Sequence, residues 1–504
     1  MTNAPPVANR FRESLLNKEE LTVTYELIPG RGAVEDSQAD LLEKALEAVR
    51  SDLAQAVSVT DNPGGNPAIL ADAIGDYFLE RGSQPLVHFT MKDRNRNQIE
   101  SQLYALRRKG IENLLVMTGD YPVGDVRHRA KPVFDYDPVH ALRLIKRLNA
   151  GLSYARGSKT IQVKPTNFFA GVAVSPFKWT EAESYGQYRK LQLKVRAGAD
   201  FIVSQLGYDA RKMQELVTFV REAELNVPVI ANIYVLNFGA AKVMHARQVA
   251  GCYVTDRLLA RLDAERQSAD KGKSAFIERA AKMYAIAAGI GYDGVHIGGA
   301  YIENPGTLEH IIRRGKELAP RWENLTSELD FAPDGGFYRY EQARRPDPRL
   351  PLGNYRLSRR FHRLMFEPGR GLFGLMKNLS RAVEGKKGSQ RLHGLEHLGK
   401  TLLYDCKDCG DCALLDLAYL CPMSQCPKQQ RNGPCGGSCD GWCEVHYGKR
   451  RCIYVRAYDR LARYKEADRL QTYEIEPCDW NLYQGSSWVH YYLGQDHSAE
   501  RAKM

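Results

Sequence analysis

Nine of the eleven cysteines fall between Cys406 and Cys452, the densest run of reactive side chains in the chain. Short spacings recur within this run, so a single turn can bring neighbouring sulfurs to the same side of the backbone. Thiolates gathered in this way bind metal ions or iron–sulfur clusters. The predicted ligands are Cys406, Cys409, Cys412, Cys421, Cys426, Cys435, Cys439, Cys443 and Cys452.

The spacing leaves the kind of metal open. The run Cys406-x2-Cys409-x2-Cys412 follows the pattern of segments that hold a [4Fe–4S] cluster, and Cys421 and Cys426 each precede a proline. A zinc ion would need only four of the nine sulfurs. The sulfurs left over therefore predict a second metal site, so that the region would hold two zinc sites, two iron–sulfur clusters, or one of each. The first twenty residues lack the apolar stretch of a secretory signal, which disfavours a disulfide framework.

A second set of chemically capable residues lies where short apolar segments end in the first 300 residues. These strand-end residues are Glu26, Thr60, His88, Thr118, Gly119, Asp120, Ser175, Gln205, Asn237 and Phe238. Any one polar residue at the end of a strand commonly has only a structural role. Together at one edge of a sheet they predict a binding or catalytic site.

Eight β-rich segments alternate with amphipathic helical segments and would position these residues. The predicted strands cover residues 21–28, 56–60, 86–90, 113–118, 169–174, 201–205, 227–233 and 294–297. Eight such units favour an α/β fold of the (β/α)₈ TIM barrel type, whose active site lies at the carboxyl ends of the strands. The alternative is a doubly wound open sheet, but the first strand is followed by Pro29-Gly30-Arg31-Gly32 instead of a dinucleotide-binding turn.

The expected domain plan has four parts. A polar lead-in covers residues 1–20, the barrel 21–320, a basic linker with a docking helix 321–390, and a cysteine-rich metal-binding domain with an aromatic tail 391–504. The net charge of +11 fits anionic partners, such as nucleic acid, phosphates or polycarboxylates, and also fits plain solubility. No uncharged apolar run of 18 or more residues occurs, so no membrane span is predicted, and the expected location is cytoplasmic.

The strand-end segments resemble those of the methylenetetrahydrofolate reductase family over about residues 20–310. The matching segments are Tyr25-Glu26-Leu27-Ile28-Pro29, Ser58-Val59-Thr60, His88-Phe89-Thr90, Gly119-Asp120-Tyr121-Pro122, Lys194 to Gln205, and Asn237-Phe238. The cysteine region, about residues 351–460, is similar to an extension fused to or partnered with such reductases in some bacteria. Two segments depart from the family pattern. Residues 174–178 read Val-Ser-Pro-Phe-Lys, and the segment after the eighth strand lacks the usual arginine.

The resemblance implies a flavoprotein that interconverts 5,10-methylenetetrahydrofolate and 5-methyltetrahydrofolate by hydride transfer. It implies FAD, with FMN as the alternative, held by Thr60, His88, Thr118, Gly119, Asp120 and Lys194. Glu26 would be the general acid, with burial raising its pKa. Asp120 would stabilise the cationic substrate, and Gln205 and Phe238 would bind the folate. The reductant would be NAD(P)H or an electron-donor protein, and a homo-oligomer is expected.

Other interpretations stay open. The cysteine domain could pass electrons from a partner protein to the flavin, or the chain could oxidise methyl-folate in a demethylation pathway. A pterin-dependent methyltransferase is also a barrel and would bind no flavin. A zinc module that binds nucleic acid or a partner through the basic linker is a further alternative, but the polar strand ends count against it and nucleic acid is not the expected partner.

Overall fold

The computed structural model describes residues 7–123, 128–341, 350–385, 387–470 and 473–501. Eight parallel strands close into a barrel in the order β1-β10-β9-β8-β7-β4-β3-β2, which confirms the predicted fold. The barrel strands are β1 (Thr22–Leu27), β2 (Ala56–Val59), β3 (Leu86–Thr90), β4 (Asn113–Met117), β7 (Phe169–Val174), β8 (Phe201–Ser204), β9 (Val229–Val235) and β10 (Gly294–Gly299). Strands β5 (Ser153–Arg156) and β6 (Lys159–Gln162) form a separate hairpin that the sequence analysis did not predict.

Helices follow most of the barrel strands and build the C-terminal region. Those up to residue 318 are α1 (Arg10–Asn17), α2 (Asp36–Arg50), α3 (Ala71–Leu79), α4 (Arg96–Lys109), α5 (Pro138–Ala150), α6 (Glu181–Arg196), α7 (Ala210–Glu222), α8 (Phe238–His245), α9 (Asp256–Glu265), α10 (Lys273–Ile290) and α11 (Pro305–Leu318). The later ones are α12 (Tyr355–Met365), α13 (Phe373–Val383), α14 (Lys387–Tyr404), α15 (Pro422–Gln425), α16 (Ile453–Ala462), α17 (Ser487–Leu493) and α18 (Ser498–Arg501). None of the described helices is both long enough and apolar enough to cross a membrane.

The first helix closes the amino-terminal end of the barrel, where the sequence analysis expected only a polar lead-in. Phe11 and Leu15 lie one helical turn apart and are fully buried. The Phe11 ring packs edge-on against Phe169 and Phe201, with centroids 6.1 and 5.3 Å away. Burial of one such side chain stabilises the fold by about 1.5–3 kcal/mol. The expectation was wrong because two apolar side chains on one face are enough to anchor a short helix.

Inside the barrel an apolar layer lies beneath a polar one, because alternate residues of each strand point inward. The apolar layer rests on α1 and contains Ala56, Leu86, Leu115, Phe169, Phe201 and Ile230. Two residues closer to the carboxyl end of three of these strands, the inward-facing side chain is polar, namely Ser58, His88 and Asn232. The interior of the barrel therefore becomes more polar towards the carboxyl ends of the strands.

The cysteine-rich region has a small apolar core of its own and packs against the barrel. This core contains Tyr355, Leu417, Leu420, Ile453, Tyr454, Ala457 and Leu461. Helix α16 lies on α6 of the barrel, where the rings of Tyr185 and Tyr458 are 4.9 Å apart. Helix α14 begins at Lys387, within the segment that was predicted to be the linker. Residues 342–349 of that predicted linker lie outside the described residues.

Candidate active site and cysteine quartets

Three titratable side chains meet in the centre of the barrel. The Glu26 Oε1 atom is 3.6 Å from His296 Nε2, and His296 Nδ1 is 2.9 Å from the Thr24 hydroxyl. The His88 ring lies beside them, 6.2 Å from the His296 ring, with its Nε2 atom 2.8 Å from the Ser58 hydroxyl. The arrangement provides a carboxyl group with two imidazoles that could exchange protons with it.

The sequence analysis did not assign a role to His296. One signal was available, because His296 interrupts the apolar strand β10 in the same way as His88 interrupts β3. Two histidines inside two strands of one barrel can face each other only if both point inward. Periodicity alone did not show that they do.

The pKa of Glu26 departs from the expectation. Burial raises it, but the nearby imidazoles of His296 and His88 lower it by more than burial raises it, so the pKa lies below its ordinary value. The prediction that burial keeps Glu26 protonated near neutral pH was therefore wrong. Burial, with the charge of His296, lowers the pKa of His88 to about 4, so His88 is neutral at pH 7.

Asp120, at the end of β4, is covered by the cysteine-rich region. Its Oδ2 atom accepts a hydrogen bond of 2.7 Å from the Gly64 amide. Burial raises the pKa of Asp120, and the nearby charge of Lys428 opposes this rise. Lys428 donates to the Gly119 carbonyl at 2.7 Å and forms a buried ion pair with Glu444. Neither Lys428 nor Glu444 was predicted from the sequence, since neither belongs to a recognisable motif.

Two of the predicted flavin ligands already have partners. The Thr118 hydroxyl donates to the Gln430 side chain at 3.3 Å. The Lys194 ammonium donates to the Ala173 carbonyl at 2.5 Å, and burial, together with the charge of Lys190, lowers its pKa to about 7. Lys194 would have to leave this carbonyl to meet a phosphate, so its role in flavin binding stays a prediction.

The remaining predicted binding residues follow other strands at the same end of the barrel. The Thr60 hydroxyl donates to a carbonyl of β1 at 3.2 Å. The Gln205 side chain accepts from the Leu206 amide at 2.8 Å. Phe238 begins α8, and the Arg266 guanidinium lies 4.0 Å from its ring centroid. Their roles toward flavin and folate also stay predictions.

The segment that departs from the family pattern after β7 binds the cysteine-rich region. Lys178 donates to the carbonyls of Gly436 and Ser438, the latter at 2.7 Å. Lys190, on the following helix, donates to the Gly433 carbonyl at 3.0 Å. Both lysines are almost fully buried. The departure at residues 174–178 therefore has a structural reason, which is the contact between the two regions.

Eight of the nine predicted cysteine ligands form two separate groups. An outer quartet of Cys406, Cys409, Cys412 and Cys421 lines one small cavity. An inner quartet of Cys426, Cys435, Cys443 and Cys452 lines another, next to the barrel. Burial raises the pKa of Cys406 and of Cys426 to about 12, so these thiols need a bound cation to become thiolates near neutral pH.

The short helix α15 holds the two quartets close to each other. Cys421 is its N-cap and Cys426 its C-cap, so each end of the helix carries a ligand of a different quartet. Five residues of helix span about 8 Å. The inner quartet in turn reaches the barrel, because Lys428 follows Cys426 by two residues and contacts Gly119.

Two cysteines lie differently from the prediction. Cys439 belongs to neither quartet and lies near Glu183, Lys178 and Arg247, and burial raises its pKa to about 12. Cys478, which lies outside the run from Cys406 to Cys452, hydrogen-bonds Cys409 of the outer quartet. The spacing could not distinguish these cases, because Cys439 has the same short intervals as its neighbours.

The geometry of the quartets bears on the kind of metal. In a tetrahedral zinc site with Zn–S bonds of about 2.3 Å, the four sulfurs lie about 3.8 Å apart. Over the described part of the chain, which includes all eleven cysteines, no three cysteine sulfurs lie mutually within 4.8 Å. In this structure, therefore, the sulfurs of neither quartet lie at the spacing of the ligands of a single zinc ion.

Comparison with known families covers most of the chain. A family model described as methylenetetrahydrofolate reductase matches residues 10–304, and one described as methylene-tetrahydrofolate reductase C terminal matches residues 386–481. Methylenetetrahydrofolate reductase 2 of Schizosaccharomyces pombe is 26% identical over 290 residues, which are 54% of this chain and 42% of the yeast protein. Methylenetetrahydrofolate reductase 2 of Saccharomyces cerevisiae is 26% identical over 216 residues, 41% of this chain and 32% of its own. The matches thus span less than half of these relatives.

Solved structures show weaker likenesses. A Clostridium thermocellum protein described as binding two copies of 5-methyl-5,6,7,8-tetrahydrofolic acid aligns with 62% of this chain and 99% of its own, at 12% identity and a TM-score of 0.42. The long-chain alkane monooxygenase LadA aligns with 65% of this chain and 98% of its own, at 11% identity and a TM-score of 0.37. Both TM-scores are below 0.5, so neither likeness bears on function.

Proposed function

The chain belongs to the methylenetetrahydrofolate reductase family, whose model matches more than half of its length, and from this we propose that it interconverts 5,10-methylenetetrahydrofolate and 5-methyltetrahydrofolate. We propose further that its electrons pass through the cysteine-rich region. The observation that carries the second part is the contact of Lys428 with Gly119, which joins the inner quartet to the predicted flavin site beside Asp120.

The barrel end has features that fit a flavin. Asn232 Oδ1 and Ser175 Oγ are buried without a hydrogen-bond partner among the described residues. Such groups cost about 1–3 kcal/mol when left unpaired, so a ligand that pairs them would be favoured. When bound, a flavin supplies the two-electron hydride chemistry that no amino-acid side chain provides. Thr60, His88, Thr118 and Asp120 are the residues that we expect to hold it.

Glu26 would handle the proton. Opening the five-membered ring of methylenetetrahydrofolate requires a proton at a ring nitrogen, and closing the ring releases one. The Glu26 carboxyl, 3.6 Å from His296, could give or take this proton and exchange it with the imidazole. Gln205 would hydrogen-bond the pterin, and Phe238 would stack on the folate.

One observation favours the oxidative direction as a second candidate. Because the pKa of Glu26 is lowered, the carboxylate predominates near neutral pH, and a carboxylate accepts the proton that ring closure releases. Oxidation of methyltetrahydrofolate should then proceed well at neutral pH, whereas reduction of methylenetetrahydrofolate should become faster as the pH falls towards the pKa of Glu26. Anaerobic rates of both half-reactions between pH 5 and 8 would distinguish the directions.

We assign a [4Fe–4S] cluster to each quartet, in preference to zinc. The spacing of Cys406, Cys409 and Cys412, which follows the pattern of [4Fe–4S] ligands, and the grouping of the cysteines by fours support this assignment. Each cluster would supply one-electron transfer, and α15 would carry a ligand of each cluster at its two ends. Metal binding would also contribute much of the folding energy of this region, of the order of 10–16 kcal/mol for a structural site.

Anaerobic spectroscopy of the purified chain tests the proposal. We expect a flavin absorbance that bleaches on addition of methyltetrahydrofolate, and about eight iron atoms per chain from two [4Fe–4S] clusters. A protein without flavin would refute the reductase proposal and favour the methyltransferase. Stoichiometric zinc in place of iron would refute the electron route and leave NAD(P)H as the reductant to test.

A further inference from the structure

The helices between the barrel and the cysteines carry a basic and apolar surface whose partner is not apparent. In the sequence, residues 355–404 contain eleven Lys and Arg against three Glu, a net charge of +8 out of +11 for the whole chain. This segment comprises α12, α13 and α14, so most of the excess positive charge lies on three neighbouring helices. Charge concentrated in this way attracts an acidic partner.

The same helices expose large apolar side chains. On α14, Leu395, Leu398 and Leu402 are 73%, 60% and 78% exposed and follow one another at helical spacing. Leu357 on α12 and Leu375 on α13 are each 64% exposed. Contiguous apolar surface of this kind is rare on a protein that acts alone and marks an interaction site.

A groove that ends at the outer quartet runs between α12, α14 and α17. It has a cavity volume of about 350 Å³ and is walled by Leu357, Phe361, Leu403, Trp488 and Tyr491. Cys412 also lines it, together with Glu396 and Lys400, which line the cavity of the outer quartet as well. A protein seated in the groove would therefore touch the shell of the outer quartet.

We propose that α12, α13 and α14 form the docking surface for a small acidic one-electron carrier protein. The apolar groove would supply the buried centre of the interface, and exposed arginines such as Arg356, Arg360 and Arg391 its charged rim. A flat lipid surface would leave the groove unfilled, which favours a protein over a membrane. The inference rests on the proposed function and names the partner for its electron route.

The electron balance is simple. Each reduced carrier would give up one electron to the cluster that the outer quartet would hold, and the oxidised carrier would leave. Two carriers and two protons from solvent convert one methylenetetrahydrofolate to one methyltetrahydrofolate. In the opposite direction, two oxidised carriers accept the two electrons and two protons are released.

Anaerobic stopped-flow reduction of the full chain tests the docking surface. The probe is a reduced plant-type ferredoxin, an acidic one-electron protein, and reduced methyl viologen serves as a small carrier that needs no docking. We expect R360E/R391E to lower the second-order rate constant with ferredoxin at least about tenfold at low salt and to leave the rate with methyl viologen unchanged. The matched control R107E/R108E makes the same charge change on α4 and should retain the wild-type rate.

Each other outcome has a separate meaning. An equal decrease of the ferredoxin rate constant in R360E/R391E and R107E/R108E would refute the docking surface, because the decrease would then reflect only the overall charge of the protein. Failure of methyl viologen to reduce the wild type would refute the electron route itself, which is the proposed function and not the docking surface. If the wild type binds phosphatidylserine vesicles and L395E/L402E does not, the partner of this surface is a membrane and not a carrier protein. A dimer in sedimentation that the same variant dissociates would replace it by a second copy of the chain.

Discussion

The role of Glu26 can be tested without changing Glu26, through Gly298. Gly298 lies on β10, and a Cβ atom added there would lie 2.0 Å from Glu26 Oε2 and 2.9 Å from its Cδ. The backbone of Gly298 is outside the left-handed region, so alanine can adopt it without strain. The substitution Gly298→Ala therefore acts mainly by displacing the Glu26 carboxyl from its position beside His296.

The size of the displacement sets the expected effect. Ordinary van der Waals contact between the added Cβ atom and the carboxyl oxygen begins at about 3.4 Å. The oxygen must therefore move by about 1.4 Å. A misplacement of about 1 Å can cost about 10²-fold in rate, and a positioned acid or base is worth about 10²–10⁴-fold. We expect Gly298→Ala to slow the folate half-reaction about 10²-fold. Its free energy of unfolding should change by no more than about 1 kcal/mol, because the end of a side chain can move.

The assay measures the rate at which methyltetrahydrofolate bleaches the flavin, under anaerobic conditions. Flavin content and the rate of reduction by methyl viologen are measured in parallel and should match the wild type. Gly374→Ala is the matched control, since a Cβ there meets nothing within 4 Å. A wild-type folate rate in Gly298→Ala, with flavin bound, would refute the argument that the position of the Glu26 carboxyl controls the chemistry.

Four further outcomes are expected. Glu26→Gln should reduce folate turnover by at least about 10²-fold while flavin stays bound and reducible, and unchanged turnover would remove Glu26 as the acid or base. Cys406→Ser should lose iron and soluble yield together, as measured by metal analysis, whereas full iron content would exclude Cys406 as a ligand. Lys428→Met should destabilise the chain by about 3–5 kcal/mol, because it leaves Glu444 buried and unpaired, and Lys428→Met combined with Glu444→Leu should recover most of this loss in denaturant unfolding. Because burial lowers the pKa of His88 to about 4 from an unfolded value near 6.5, the unfolded chain takes up this proton first as the pH falls, so stability should drop by about 3 kcal/mol between pH 6.5 and 4. His88→Asn should remove that part of the pH dependence, and an unaltered pH dependence would contradict the burial of a neutral His88.

Much of the fold could be predicted because its signals are local. Each barrel strand is a short apolar segment that ends at a polar residue, and each predicted strand overlaps an observed one. The strand-end residues share one end of the barrel because parallel strands in a closed sheet have their carboxyl ends together. The N-terminal helix was missed because only Phe11 and Leu15 distinguish it from a polar segment.

The surroundings of the site were harder to predict. His296 pairs with Thr24 across 272 residues, and Lys428 reaches Gly119 across 309. Such contacts depend on the register of the closed barrel and on the way in which the second region packs against it. The error in the pKa of Glu26 follows directly, since burial could be foreseen from the strand but the contact with the His296 imidazole could not.

The sequence by itself determined the eight alternating units, the strand ends that carry polar residues, and the richness in closely spaced cysteines. Those properties depend only on the order and periodicity of neighbouring residues. The tertiary structure alone decided which four cysteines share a site, that Cys439 stands outside both quartets, and that Lys178, Lys190 and Lys428 fasten the cysteine-rich region over the barrel. The physical reason is that these contacts join surfaces far apart in the chain, whose meeting depends on the packing of whole elements and not on local sequence.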